Sequence, residues 1–437
     1  MMHQINRRAL LRASALLGGG AALAGLPLGA GRLLAAESAG ALEAQWPKVT
    51  EMVARYVSER KVACMVAAFG WGDGPLGTVA RGLEGFDDAD AAGADSLFRV
   101  YSMTKPITGM AAMMLIDAGK LGLDQKLADI VPEFANPRVA IDPDKGLESR
   151  PAEGQITIRH LLTHTAGLGY AGISRNKVGE ELLRQGVTPA VVSRMMIPGI
   201  TPPVPTVGPD EFLRRAAAVP LIADPGKRWS YSMGLDILGL VVARVAGAAS
   251  FGDFLTERLF GPAGMTSSFF QVPAEREGKL TTNYGVMGGV PLAIDKPANS
   301  IYRDVPAFAF GGAGLVSTPA DYDRFLRLLV NGGVVDGKRV MSERAVTLGT
   351  SNLLPEGVQT RGTFAENGGF GAGGRVGLGA DEGSFGWSGA AGTVGFVNRR
   401  VGLRAGLYTQ FMPPETYPIQ REFLTATRDD ALQRLVR

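Results

Sequence analysis

Ser102 and Lys105 lie three residues apart in Phe98-Arg99-Val100-Tyr101-Ser102-Met103-Thr104-Lys105-Pro106. On a helix that spacing puts both side chains on one face. A serine hydroxyl is a poor nucleophile at neutral pH. A neighbouring amine can take its proton if burial lowers the amine's pKa from about 10.4 towards neutrality. A helix N-terminus adds a positive field that favours a developing alkoxide or oxyanion. The chemistry on offer is therefore acyl transfer through a serine. The element that must position the pair is the helix that follows. Ile107, Met110, Ala111, Met114 and Leu115 keep helical spacing, and Pro106 suits a first turn that has no use for its missing amide proton. Ser-x-x-Lys alone also describes a capping serine followed by a surface lysine, so the rest of the chain has to decide.

Two further stretches offer partners. Asp224-Pro225-Gly226-Lys227-Arg228-Trp229-Ser230-Tyr231-Ser232 is a turn that places Tyr231 just ahead of a helix patterned by Leu235, Leu238, Val242 and Val245. A phenol projecting from such a loop can act as a base beside an ammonium, which lowers its pKa. Gly386-Trp387-Ser388-Gly389-Ala390-Ala391-Gly392-Thr393 reads as a strand of small residues, and small side chains let a ligand approach backbone amides.

Three other patterns resemble known sites and fall short. Gly386 to Ala390 approximates the G-x-S-x-G elbow, which needs a histidine downstream of the serine. The three histidines are His3, His160 and His164, all upstream of Ser388. His160-Leu161-Leu162-Thr163-His164 has metal-ligand spacing but Leu161 where a zincin has glutamate, which leaves structural histidines at a helix end as the better reading. Gly369-Phe370-Gly371-Ala372-Gly373-Gly374 is formally G-x-G-x-x-G without the surrounding strand-turn-helix unit, so it reads as a loop.

The 437 residues are 46% hydrophobic and 20% charged, a globular composition with ample core. The net charge of +3 resides in the first 41 residues, and the remainder carries 41 basic and 41 acidic side chains. No field remains to hold nucleic acid. Cys64 is the sole cysteine and sits in an apolar strand, Val62 to Phe69, which excludes an internal disulfide. Residues 1–41 join Arg7-Arg8 to a Gly/Ala-rich apolar run and small residues near Ala36, the pattern of a secretory signal of twin-arginine type. The run is broken by three glycines and Pro27 and is too short to span a bilayer. The expectation is a mature chain beginning between Leu34 and Leu42, periplasmic or secreted, with no stable membrane anchor.

Strand patterns occupy both ends of the remaining chain, including a hairpin partner at Thr78 to Gly82 and paired strands over 385–396 and 404–411. Helical pieces and proline-rich connectors fill the middle, with an irregular apolar loop at Ile197 to Pro209. This predicts one α/β (α+β) domain, residues 42–437. Its α/β part covers about 42–134 and 305–437, and an inserted, mainly helical region covers about 135–304.

Ser102-Met103-Thr104-Lys105, Tyr231-Ser232-Met233 and Trp387-Ser388-Gly389, in that order, resemble the three motifs of the serine β-lactamase and penicillin-binding-protein superfamily. The resemblance is strongest to family VIII carboxylesterases and class C β-lactamases, and 160–168 and 311–325 share it. It implies a β-lactamase-like fold, an antiparallel sheet flanked by helices. It also implies Ser102 as nucleophile, Lys105 and Tyr231 sharing the base role, and an oxyanion hole from the amides of Ser102 and Ala390. Trp387, Ser388, Gly389 and Met233 would contact substrate. Neither a metal nor an organic cofactor is implied. Two departures matter. Met233 replaces the asparagine of Tyr-x-Asn, and Trp387 replaces the lysine of Lys-Thr-Gly that anchors a β-lactam carboxylate. The expectation is a serine hydrolase acting on small carboxylic esters. The alternatives are a β-lactamase or D-alanyl-D-alanine carboxypeptidase, and a non-catalytic receptor for peptidoglycan or acyl ligands.

Overall fold

The computed structural model of the protein describes residues 40–189, 192–196 and 204–436. The expected export segment lies almost wholly outside these residues, as do residues 197–203 of the proline-rich loop.

The centre is a seven-stranded antiparallel sheet drawn from both ends of the chain. In chain order its strands are β1 (Cys64–Trp71), β2 (Gly77–Gly82), β3 (Gly369–Phe370), β4 (Arg375–Val376), β5 (Ser384–Ser388), β6 (Val394–Asn398) and β7 (Leu403–Tyr408). In space they run β3-β4-β5-β6-β7-β1-β2. The junction of the two chain ends is the β1–β7 pair, in register from Val66 opposite Tyr408 to Trp71 opposite Leu403. The run predicted over 385–396 is two strands, because Gly389 to Thr393 turns the chain back and Ser388 then faces Val394.

The unbroken apolar run of β1 follows from having a layer on each face. Met65, Ala67 and Phe69 point into one core with Trp46, Val49, Val53 and Tyr56 of the N-terminal segment and Ile419 and Phe423. These flanking residues belong to α1 (Pro47–Ser58), with Trp46 just ahead of it, and to the last helix (Ile419–Val436). Val66 and Ala68 point into the larger core on the opposite face. That core holds α2 (Thr104–Asp117), α3 (Ile158–Leu162), α4 (Gly234–Ala246) and α5 (Pro319–Val330). Helix α2 is buried nearly all round rather than on one stripe, as expected of a helix enclosed by neighbours. It packs on α4.

The interval 135–304 carries short helices but also two hairpins. Arg138–Ala140 pairs with Ser149–Pro151, and Asn283–Met287 pairs with Val290–Asp295 and is joined in parallel by Phe411–Met412. Gly288-Gly289 supplies the positive φ values that close the second hairpin. Among the described residues no single helix is long and apolar enough to cross a membrane.

Candidate active site

Ser102 sits in the 3₁₀ turn Tyr101–Met103 that leads into α2. It is not a helix cap, since no capping hydrogen bond from a side chain is made at either the turn or the helix. The preceding residue, Tyr101, has φ +42°, a strained conformation for a non-glycine residue. Its surroundings hold it there. The ring is buried and its hydroxyl accepts from Asn283 Nδ2 at 3.0 Å. Two residues before Tyr101, the fully buried Arg99 pairs with Asp295, with Nε donating to Oδ2 at 2.8 Å. Breaking such a pair would leave a buried charge uncompensated. The segment leading into Ser102 is thus pinned to both strands of the second hairpin, at Asn283 and at Asp295.

Lys105 is fully buried. Its Nζ donates to Ser102 Oγ at 3.2 Å and to the Gly312 carbonyl at 2.6 Å. Tyr231 Oη stands 2.6 Å from the same Ser102 Oγ, and Trp387 Nε1 donates to Tyr231 Oη at 3.4 Å. The ammonium also lies 4.6 Å from the Tyr231 ring centroid and 5.4 Å from that of Tyr170. One hydroxyl therefore has two proton-carrying groups in contact, each from a different element. That arrangement can move a proton off a serine and pass it on.

The expected third strand lies alongside. Gly389 follows β5 and its Cα comes so close to the segment before Ser102 that a Cβ would meet the Val100 carbonyl oxygen at 2.4 Å. Gln420 on the last helix donates to the Gly389 carbonyl at 2.8 Å, fixing the end of the strand. The Ala390 amide that follows has no acceptor among the described residues, as an oxyanion donor requires. Trp387 packs on Tyr231 with ring centroids 5.9 Å apart and meets Phe370 edge-on at 5.2 Å.

Met233 departs from expectation. It is 1% exposed, belongs to the main core and sits at the N-cap of α4. The expected substrate contact from Met233 is therefore corrected to a packing role, because it caps a helix whose residues are mostly buried in the main core and its thioether packs there with them. Ser388 is half-buried on β5 and its hydroxyl bonds no histidine, lysine or tyrosine among the described residues. A Ser388→Ala variant should keep kcat/KM within about tenfold of the parent, since the hydroxyl it removes touches none of the groups that move the proton. Steady-state ester hydrolysis by the purified variant checks this.

The two described histidines, His160 and His164, are structural. His160 Nδ1 accepts the Thr157 amide in a capping box on α3. Burial holds its pKa down at about 4. His164 Nδ1 accepts the Ser232 amide at 3.2 Å, which places Ser232's neighbour Tyr231. Its ring packs 4.7 Å from Tyr231 and is kept neutral, first by burial and then by the Lys105 charge. The glycine-rich stretch is a packing surface. A Cβ on Gly373 would meet the Lys105 carbonyl oxygen at 2.3 Å, and one on Gly109 the Ala372 oxygen at 2.1 Å. Burial pushes the Cys64 thiol up to about 12, so it is not a neutral-pH nucleophile.

Several neighbours of the site were not foreseen: Gly312, Asp236, Tyr170, Phe364 and Phe370. The Gly311-Gly312 pair and a lone acid among Leu235, Ile237 and Leu238 were the available signals. Phe364 had none, since its loop lacks any period.

The family model described as Beta-lactamase matches residues 49–427. An uncharacterised protein of Mycobacterium tuberculosis is 35% identical over 276 residues, 62% of this chain and 64% of its own length. That is less than two thirds of the relative. Esterase EstB of Burkholderia gladioli is 30% identical over 75% of this chain and 82% of its own. Among solved structures, a LovD6 mutant of simvastatin synthase from Aspergillus terreus superposes with a TM-score of 0.73 at 21% identity, covering 90% of this chain and 98% of that one.

Proposed function

The chain belongs to the beta-lactamase family and has the β-lactamase-like fold, with esterases and acyltransferases among its relatives, and from that premise we propose that it is a carboxylesterase working through an acyl-enzyme on Ser102. The observation that carries this reading is the double contact on Ser102 Oγ, from Lys105 Nζ at 3.2 Å and Tyr231 Oη at 2.6 Å.

In this mechanism Ser102 Oγ attacks the ester carbonyl while its proton passes to the Lys105–Tyr231 pair. The two groups act as one unit because both contact the same oxygen. The amides of Ser102 and Ala390 hold the oxyanion of the tetrahedral intermediate. Collapse expels the alcohol, which takes the proton back from the pair. Water then repeats the sequence on the acyl-enzyme and releases the acid.

Trp387 directs the choice of substrate. It presents an indole at the strand position where a lysine would meet a β-lactam carboxylate. Arg375, the nearest strand arginine in sequence, instead donates to the Glu366 and Asn367 carbonyls at 3.4 and 3.5 Å. Leaving a buried carboxylate without a partner costs about 1–3 kcal/mol. A neutral ester brings no such group. Hydrolysis of p-nitrophenyl butyrate should therefore exceed that of a chromogenic cephalosporin by at least about a hundredfold in kcat/KM, roughly 2.7 kcal/mol of differential transition-state binding. Comparable efficiencies would favour a β-lactamase. Binding without turnover of either would favour a receptor.

A further inference from the structure

Lys105 makes no ion pair among the described residues, although it is fully buried. A buried ammonium without a counter-charge is costly. The acidic group acting on it is Asp236, in the first turn of α4, which is likewise fully buried. Asp236 Oδ1 accepts the Gly312 amide at 2.8 Å. The Gly312 carbonyl in turn accepts from Lys105 Nζ at 2.6 Å. The adjacent Gly311 carbonyl accepts from Thr108 Oγ1, also at 2.6 Å. Lys105 and Thr108 are one helical turn apart, so the two glycine carbonyls grip one face of α2. Only glycines fit. A Cβ on Gly312 would lie 2.3 Å from Asp236 Oδ2, and one on Gly311 would lie 2.4 Å from the Leu235 carbonyl oxygen. Asp236 Oδ2 is buried and has no hydrogen-bond partner among the described residues.

We propose that Asp236 is a positioning residue for the reaction: through the Gly312 amide it fixes the carbonyl that aims Lys105 Nζ at Ser102, and its charge balances the Lys105 ammonium.

The inference rests on the reading of Lys105 as part of the proton-transfer pair. Burial lifts the Asp236 carboxyl to about 6, with the Lys105 charge and the Gly312 amide pulling the other way. The titratable groups facing Lys105 are Asp236 and Tyr231 from the α4 region, and His164 and Tyr170 from the segment after α3. His164 stays neutral and Tyr170 is pushed well above its ordinary range by burial. Neither contributes a titration near neutrality.

The test is the pH profile of kcat/KM for p-nitrophenyl butyrate with Asp236→Asn and Gly312→Ala. Asparagine keeps an acceptor for the Gly312 amide and removes the charge. The ammonium is then less favoured, so the acid limb should move to lower pH by at least about 0.5 unit. Alanine at Gly312 forces the carboxylate and the carbonyl apart, and should lower kcat at least about tenfold with KM within about threefold. An unmoved acid limb in Asp236→Asn overturns the proposal, as does a parental kcat in a folded Gly312→Ala. If Gly312→Ala does not fold, the limb in Asp236→Asn decides alone. If the unmodified enzyme shows no turnover and no covalent label on Ser102, the catalytic reading fails rather than the part given to Asp236.

Discussion

Replacing Ser102 with alanine should lower ester hydrolysis by on the order of 10⁴-fold or more while leaving the fold intact. The size of the loss follows from the geometry. Lys105 Nζ and Tyr231 Oη both converge on Ser102 Oγ, and without that atom neither has a nucleophile to activate. The oxyanion donors would remain, so the residue of activity should be the fraction that binding and electrostatics sustain alone. Stability should change little. Ser102 is half-buried, caps no helix, and the strained turn that carries it is held by Tyr101, Asn283 and the Arg99–Asp295 pair. Kinetics and a thermal melt on the purified variant check both halves. Parental turnover in Ser102→Ala would remove the serine from the mechanism.

The second large effect is expected at Tyr231. A Tyr231→Phe variant keeps the ring and so keeps its packing on His164 and Trp387, at 4.7 and 5.9 Å between centroids. It loses only the hydroxyl that stands 2.6 Å from Ser102 Oγ. General acid–base groups contribute about 10²–10⁴-fold, and kcat should fall within that range with KM nearly unchanged. Both the formation and the breakdown of the acyl-enzyme need this proton transfer. A pre-steady-state burst should therefore slow in both phases. A variant whose acylation is intact and whose deacylation alone is slow would assign the tyrosine to water activation only, with Lys105 carrying the first step.

What the sequence reveals and what it conceals follow from how local each signal is. Ser102 and Lys105 share a face because helical spacing dictates it, and they meet at 3.2 Å. Tyr231 and Trp387 were readable as motifs in order, since each sits at the edge of a strongly patterned helix or strand. The two-layered burial of β1 was visible in its unbroken apolar run. Other features depend on tertiary approach. Met233 looks like a site residue by its place after Tyr231, yet α4 enters the core there and takes the side chain with it. The Gly371–Gly374 stretch looks like a loop, and its real constraint is the approach of backbone to α2 within van der Waals distance. The hairpin Asn283–Met287 with Val290–Asp295 was hidden inside a helical region because its strands are short and its outer face leaves Met287, Val290 and Leu292 exposed. The link from Asp236 through Gly312 to Lys105 joins residues 131 positions apart, at 105 and 236, by way of a backbone group, and no pattern in sequence records such a bond.

The most direct measurement is the intact mass of the enzyme after reaction with a fluorophosphonate, followed by peptide mapping of the adduct. One phosphonyl group should be added per chain, on the peptide containing Ser102, at a rate that falls sharply in Tyr231→Phe and to nothing in Ser102→Ala. An adduct on Ser388, or labelling that survives in Ser102→Ala, would contradict the account.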